Sequence, residues 1–338
     1  MTSEHPCILV TGGAGFIGSN LVHTLLQRNP AARVVVVDKM TYAGNRQNLE
    51  PWLAGGQCTL FEADIADADA MQAVWDQWMP TSVYHLAAES HVDRSISGPR
   101  PFIESNITGT FVLLECARRA WLAPGATPGR FLHVSTDEVF GSLGETGAFT
   151  EETPYDPSSP YSASKAASDH LVRAWHRTFG LDVVLTNCSN NYGPRQYPEK
   201  LIPVIIRNIV ERKPLPVYGD GSNVRDWLFV TDHCEALTVV FAKGESGRSY
   251  NVGGNNEWSN INLVRLLCDI VDDERGLARS SQSLISFVTD RPGHDHRYAI
   301  DPTRIRTELG WQPRYAFEDA IRETVRWYLA LFGASSGT

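Results

Sequence analysis

Apolar positions in the first half of this chain gather into short β-branched runs, separated by segments with a helical repeat. The runs are CILV (7–10), RVVVV (33–37), TLF (59–61), SVYHL (82–86), RFLHV (130–134) and DVVLT (182–186). Amphipathic stretches lie near 17–28, 68–78, 103–121 and 161–178. Runs that are apolar at successive positions suit strands covered on both faces. Alternation with helices through right-handed crossovers then predicts an α/β fold around a doubly wound parallel sheet.

Past residue 188 the pattern turns irregular, with Pro, Gly and Asn punctuating SNNYGPRQYPEK, VYGDGSNVRDW, GGNNEWSN and DRPGHDHRY. Helical patterns return at 200–212, 231–242, 261–271 and 316–332. The expected organisation is a dinucleotide-binding domain over 1–188, also receiving 231–249, with 189–338 mainly a smaller C-terminal substrate-binding region. Its loops would grip a second ligand at the carboxyl ends of the strands. No internal repeat or low-complexity tract interrupts this plan.

Composition narrows the partners. The 338 residues are 42% hydrophobic and 20% charged, with a formal net charge of -9 and a pI near 5.6. That balance argues against nucleic-acid or acidic-membrane binding, which needs a basic face. No apolar run approaches the roughly 18 residues of a membrane span, and the first residues show no signal-peptide pattern, so a cytoplasmic protein is expected. Cys7, Cys58, Cys116, Cys188, Cys234 and Cys268 are scattered through apolar runs and predict buried free thiols. His294 and His296 flank Asp295, a spacing that supplies no ordered set of zinc ligands, and no metal is expected.

VTGGAGFIGSN follows the first predicted strand directly and meets the GxGxxG pattern of a Rossmann dinucleotide turn. Glycines there permit a tight turn, close approach of backbone to a pyrophosphate, and a helix N-terminus aimed at phosphate. Gly12, Gly15, Phe16, Ile17 and Gly18 form the expected turn. Asp38, twenty residues past Gly18, can accept from a ribose diol and repel a 2′-phosphate, which favours NAD over NADP; Lys39 and Thr41 follow it. Asp64 and Ile65 are placed to address the adenine edge, and Ala87 and Ala88 in LAAES leave room for a dinucleotide across the fourth strand.

Two further features concern chemistry. In PYSASKAASDH, Tyr161 and Lys165 stand one helical turn apart. An ammonium beside a phenol favours the phenolate, so Tyr161 is expected to have its pKa lowered far enough to act as a base near neutral pH. In VSTDEVFG, Asp137 and Glu138 stand where an apolar run ends, and leaving the strand for a turn can bring both carboxylates to one cleft.

Together the glycine turn, VST and the Tyr161/Lys165 pair resemble the extended short-chain dehydrogenase/reductase family. DKMTYAGNRQNL, AAESHVDRSI, STDEVFG, NCSNNYGPRQYPEKLIP, YGDGSNVRDWLFVTDH and DRPGHDHRYAID look like the dTDP-glucose 4,6-dehydratases within it. The resemblance runs across essentially the whole chain. It implies a catalytic set of Thr136, Asp137, Glu138, Tyr161 and Lys165 and a tightly held NAD recycled at each turnover. Oxidation at C4 of a hexose acidifies the C5 proton; Glu138 would remove that proton and a protonated Asp137 would assist departure of the C6 hydroxyl.

By the same resemblance Arg225 and Arg291 meet the pyrophosphate or nucleotide, and Asn190, Lys200 and Asn260 hold the sugar diphosphate. Ser90, His91 and Arg94 line the sugar side, Thr136 and His294 also contact substrate, and Asn191 meets the nicotinamide end. The resemblance further implies a homodimer, for which 103–121 and 161–178 are the candidate helices. Two other readings stay open: the same chemistry on UDP-glucose, CDP-glucose or GDP-mannose, and a catalytically silent NAD-binding scaffold. The product would serve a rhamnose-type or secondary-metabolite deoxysugar pathway.

Overall fold

The computed structural model describes residues 7–290 and 293–334 of the 338. Its strands are β1 Cys7–Thr11, β2 Arg33–Asp38, β3 Cys58–Glu62, β4 Ser82–His85, β5 Arg130–Thr136, β6 Val183–Cys188, β7 Asn190–Tyr192, β8 Leu215–Tyr218, β9 Val224–Phe229, β10 Ser249–Val252, β11 Glu257–Ser259, β12 Ile285–Val288 and β13 Arg297–Tyr298. Seven of them form the central sheet in the order β10-β6-β5-β4-β1-β2-β3, with every pair parallel. This is the doubly wound α/β sheet expected from the sequence, and its order reverses between β1 and β4. A crevice opens at such a switch, at the carboxyl ends of the strands.

The near-continuous Val run of β2 is explained by burial on both faces. Val34 and Val36 pack with Val10, Leu21 and Leu132 on one side, while Val35 and Val37 pack with Leu9, Val83 and Phe131 on the other. Helices Phe16–Arg28 and Val230–Lys243 cover the first face; Ala68–Trp78, Thr110–Trp121 and Pro160–Phe179 cover the second. The amphipathic stretch at 103–121 is not one regular helix. Ile103–Gly109 forms a widened π-type segment that runs into Thr110–Trp121, with Asn106 buried inside it.

Beyond β6 the chain builds a second core from Tyr192, Ile205, Ile206, Leu263, Leu267, Ile321 and Tyr328. Helices Leu201–Val210, Asn260–Arg275 and Phe317–Ala334 surround it, together with a small sheet in the order β11-β9-β13 to which β7 adds on β9. Strand β10, four residues of SYNV, crosses back to close the edge of the large sheet on β6. Among the described residues no helix is long and apolar enough to cross a membrane, and no group of three or more His, Cys, Asp or Glu side chains is placed to hold a metal ion. All six cysteines are free and buried.

Candidate functional site

The turn after β1 has to be glycine. Gly12 lies at φ +69° with a would-be Cβ 2.8 Å from the Ala87 backbone, and a Cβ at Gly18 would stand 2.1 Å from the Gly12 carbonyl oxygen. That proximity lets the Phe16–Arg28 helix start against the turn, and its Gly15 cap supplies no side chain to satisfy the first amides. Those N–H groups are left for a ligand at the positive end of the helix. Asp38, at the end of β2, accepts from the Ala14 amide at 3.0 Å and the Met40 amide at 2.9 Å, so its carboxylate is fixed beside the glycines. Thr11 and buried His85 pin the other bank: the Thr11 hydroxyl accepts from the Leu86 and Ala87 amides, each at 3.2 Å, and meets His85 Nδ1 at 2.7 Å.

One open cleft of ≈ 1630 Å³ runs from this turn to the ends of β5 and β6. Its walls include every expected cofactor residue: Gly12, Gly15, Phe16, Ile17, Gly18, Asp38, Lys39, Thr41, Asp64, Ile65, Ala87, Ala88, Asn191, Tyr161 and Lys165. Lys39 is paired with Asp64 at 2.5 Å, which ties the loops after β2 and β3 together at one end.

At the other end the chain leaves β5 through a short 3₁₀ turn over Asp137–Phe140, capped by Thr136. The Thr136 hydroxyl accepts from the Glu138 amide at 3.3 Å and donates to Asp137 Oδ1 at 3.2 Å. Thr136, Asp137, Glu138, Tyr161 and Lys165 all line the same cleft. Adjacent carboxylates therefore reach one space because the strand ends just before them and both sit in the turn.

Asp137 is 1% exposed, and its Oδ2 has no hydrogen-bond partner among the described residues. Burial, then the neighbouring Glu138 and Asp226 carboxylates, hold its pKa well above the ordinary range; Arg225 and the Thr136 hydroxyl oppose this. These surroundings favour the protonated acid over the carboxylate. Tyr161 departs from expectation. Burial and the Glu138 carboxylate push its phenol well above 10, and burial lowers Lys165, whose Nζ donates to the Val134 carbonyl at 2.8 Å. The ammonium is engaged by backbone, and desolvation of the phenolate outweighs its help. The protein alone therefore leaves Tyr161 a phenol.

Of the expected substrate residues, Ser90, Asn190, Lys200 and Thr136 line the cleft. His91, Arg94, Arg225, Asn260 and His294 stand outside its lining. Arg94 lies over the Tyr42 ring at 3.6 Å and donates to Glu199 at 3.0 Å, and His91 Nε2 sits 3.8 Å from the same carboxylate. Buried Arg225 lies over Tyr298 at 4.3 Å and donates to the carbonyls of Val224, Asp295 and His296. His294 Nδ1 meets Asp290 at 2.6 Å, and the Asn260 amide donates to the Asn223 carbonyl at 2.9 Å. Arg291 lies outside the described residues.

Several residues of the site escape sequence reasoning. Tyr197 and Glu199 line the cleft, and Tyr42 packs against Tyr197, the two rings 5.5 Å apart edge to face. They come from segments some 155 positions apart, and no local spacing announces the meeting. Asp226 is another: buried in β9, it accepts from the Gly254 and Asn256 amides at 2.8 and 2.6 Å and bears on Asp137.

Residues 9–324 match the family described as GDP-mannose 4,6 dehydratase. The chain is 56% identical to the dTDP-glucose 4,6-dehydratase of Xanthomonas campestris pv. campestris (strain B100) over 328 residues, 95% of this chain and 92% of that one. It is 53% identical to dTDP-glucose 4,6-dehydratase 1 of Escherichia coli (strain K12), covering 96% and 92%. The crystal structure of DesIV, the dTDP-glucose 4,6-dehydratase from Streptomyces venezuelae with NAD and TYD bound, superposes with a TM-score of 0.88 at 46% identity, covering 97% of this chain and 98% of that one.

Proposed function

The chain belongs to the dTDP-glucose 4,6-dehydratase family, and from that premise we propose that it is an NAD-dependent hydro-lyase converting dTDP-glucose to dTDP-4-keto-6-deoxyglucose and water. The observation that carries this reading is the buried Asp137, its pKa raised, beside Glu138 in the cleft that also holds Tyr161. A plain dehydrogenase or an epimerase on this scaffold needs the tyrosine but has no use for an acid and a base side by side.

The cleft fits NAD. A side chain at Gly12 or Gly18 would fill the turn, the capless helix start offers amides to a pyrophosphate, and Asp38 is fixed where a ribose diol would meet it. When bound there, NAD accepts the hydride from C4 of the sugar and returns it to C6, so none is consumed.

The side chains supply the proton movements. Tyr161, as the phenolate, takes the proton of the C4 hydroxyl; the Lys165 ammonium beside it and the positive charge of a bound oxidised nicotinamide would favour that form over the phenol that the protein alone leaves. The resulting ketone acidifies C5, and Glu138 removes that proton. Asp137 donates its proton to the C6 hydroxyl as the C–O bond breaks and water departs, and the proton held by Glu138 goes back to C5 as hydride reaches C6. A carboxyl kept neutral by its surroundings at pH 7 is what such a donation requires.

In this reading residues 1–188 with 231–249 hold the cofactor, and 189–338 grip the nucleotide sugar. Lys200, Asn190 and Ser90 supply polar groups at the sugar end, and Arg225 and Arg291 the guanidinium groups for a diphosphate. Chains pair as homodimers through 103–121 and 161–178; Ile103, Phe111 and Phe179 stay exposed on that side at 47%, 44% and 44%, which supports the assignment. Six free buried thiols support residence in the cytoplasm, a reducing compartment.

The reading is tested by incubating the purified protein with dTDP-glucose and no added cofactor, then weighing the sugar nucleotide by mass spectrometry. Loss of one water is expected. No change, even with NAD supplied, would sink it.

A further inference from the structure

Helix Pro160–Phe179 carries Tyr161, Lys165, Asp169 and Arg173 at four-residue intervals on the side that meets β5 and β6. An apolar stripe is the usual content of such a buried face. Here Lys165 is 4% exposed and Asp169 is fully buried, one turn apart.

The Asp169 carboxylate is held by three donors. Oδ2 accepts from the Ser135 and Tyr155 hydroxyls, both at 2.8 Å, and Oδ1 accepts from His133 Nε2 at 3.0 Å. His133 Nδ1 has no hydrogen-bond partner among the described residues, and burial together with the Lys165 charge pushes its pKa down to about 4, so it is the neutral Nε2–H tautomer that donates. His85, behind it, is also neutral. Thr110 donates its hydroxyl proton to the Asn106 carbonyl at 2.6 Å and accepts from His85 Nε2 at 2.9 Å, leaving Nδ1 to accept from Thr11.

Asp169 from its own helix and Cys188 from β6 bear on Lys165, which in turn bears on His133 of β5 and His85 of β4. Tyr161 precedes it by one turn, and Asp137 and Glu138 line the same cleft from the turn after β5. The histidines are neutral, and burial pushes the Cys188 thiol up to about 12, so it is neutral too. Of the two groups that bear on Lys165, Asp169 is the one that offers an anion. Arg173, the next charge along the stripe, is engaged by the Tyr155 and Ser249 hydroxyls at 2.9 and 3.0 Å.

We propose that Asp169 is a positioning residue of the reaction: its carboxylate, held by Ser135, Tyr155 and His133, is the counter-charge that keeps the Lys165 ammonium protonated next to Tyr161. A buried ammonium with only a carbonyl for company gives up its proton instead. The catalytic pair thus depends on a third residue two turns from the tyrosine. This inference rests on the proton-handling role proposed for Tyr161 and Lys165.

The test is Asp169→Asn, which preserves size and removes the charge. The alkaline limb of its kcat profile, where Lys165 deprotonates, should move to lower pH by about one unit, with KM for dTDP-glucose changed less than about twofold. Tyr155→Phe removes one hydrogen bond from the same carboxylate but not its charge, and should leave the limb in place. A uniform loss of kcat in Asp169→Asn with an unmoved limb would overturn the proposal.

A second readout needs no turnover. Lys165→Met strands the Asp169 anion, so adding Asp169→Asn to it should raise the melting temperature; additive losses would overturn the coupling. Absence of dehydratase activity in the unaltered protein would instead refute the functional reading, and this thermal cycle would still judge the pair.

Discussion

Asp137→Asn separates the acid role from the fold. The Thr136 hydroxyl that donates to Asp137 Oδ1 can donate equally to an amide oxygen, and the new NH₂ takes the place of Oδ2, which has no partner among the described residues to lose. The amide presents two N–H donors where the neutral acid presents one O–H, so at low pH the variant should lie within about 1–2 kcal/mol of the parent in stability. At higher pH the two diverge. The folded parent keeps the Asp137 proton where the unfolded chain, with a pKa of about 3.9, has released it. The native state then binds more protons, and parental stability falls as pH rises, by about 1.4 kcal/mol per pH unit for this group, until Asp137 ionises in the fold. Asparagine has no such slope, and the variant should gain on the parent from about pH 4 upwards. Catalysis should move oppositely. A general acid contributes about 10²–10⁴ in rate, so elimination should slow by that factor, about 3–5 kcal/mol in barrier, while C4 oxidation persists. Urea unfolding of both proteins at several pH values, with rapid-mixing assays of the reduced cofactor and of product, reads both effects. Parallel stability curves would show Asp137 to be an ordinary ionised carboxylate, and unimpaired turnover would remove it from the acid role.

Glu138→Gln should stall at the next proton, giving reduced-cofactor absorbance on addition of dTDP-glucose but no dehydrated product; full activity would exclude Glu138 as the C5 base. Tyr161→Phe should abolish that absorbance as well, because the C4 hydroxyl keeps its proton, and normal turnover would refute the assignment. Gly18→Ala drives a Cβ to 2.1 Å from the Gly12 carbonyl oxygen, a backbone atom that cannot swing aside. The expected cost is about 1–3 kcal/mol or more in stability, with loss of co-purified NAD; a variant that melts normally and retains NAD would mean the turn yields more easily than its packing indicates.

The large sheet was legible because its causes are local. Unbroken Val runs mark strands buried on both faces, the glycines of GGAGFIG mark a turn with no room for a Cβ, and the 3.6-residue repeat marks the covering helices. The two carboxylates of STDEVFG could be suspected of sharing a cleft from adjacency and the end of an apolar run. Strand β10 was not legible, since four residues of SYNV carry too little pattern, and the break in the 103–121 helix was hidden because a π-type turn leaves amphipathicity almost intact.

Electrostatics divide differently. Sequence spacing correctly set Lys165 beside Tyr161 yet predicted a lowered phenol pKa, whereas burial and Glu138 raise it and the lysine is turned to the Val134 carbonyl. The raised pKa of Asp137 comes first from burial, then from Glu138 and from Asp226 of β9, and the surroundings of Lys165 include neutral histidines from β4 and β5. Arg94, read as a sugar-side residue, was claimed by Tyr42 and Glu199. Residue type and local spacing thus determined which groups the chain carries and on which elements they ride. Which of them are charged was decided only by tertiary structure, because desolvation and Coulomb interactions depend on distance through space and on what else is buried nearby.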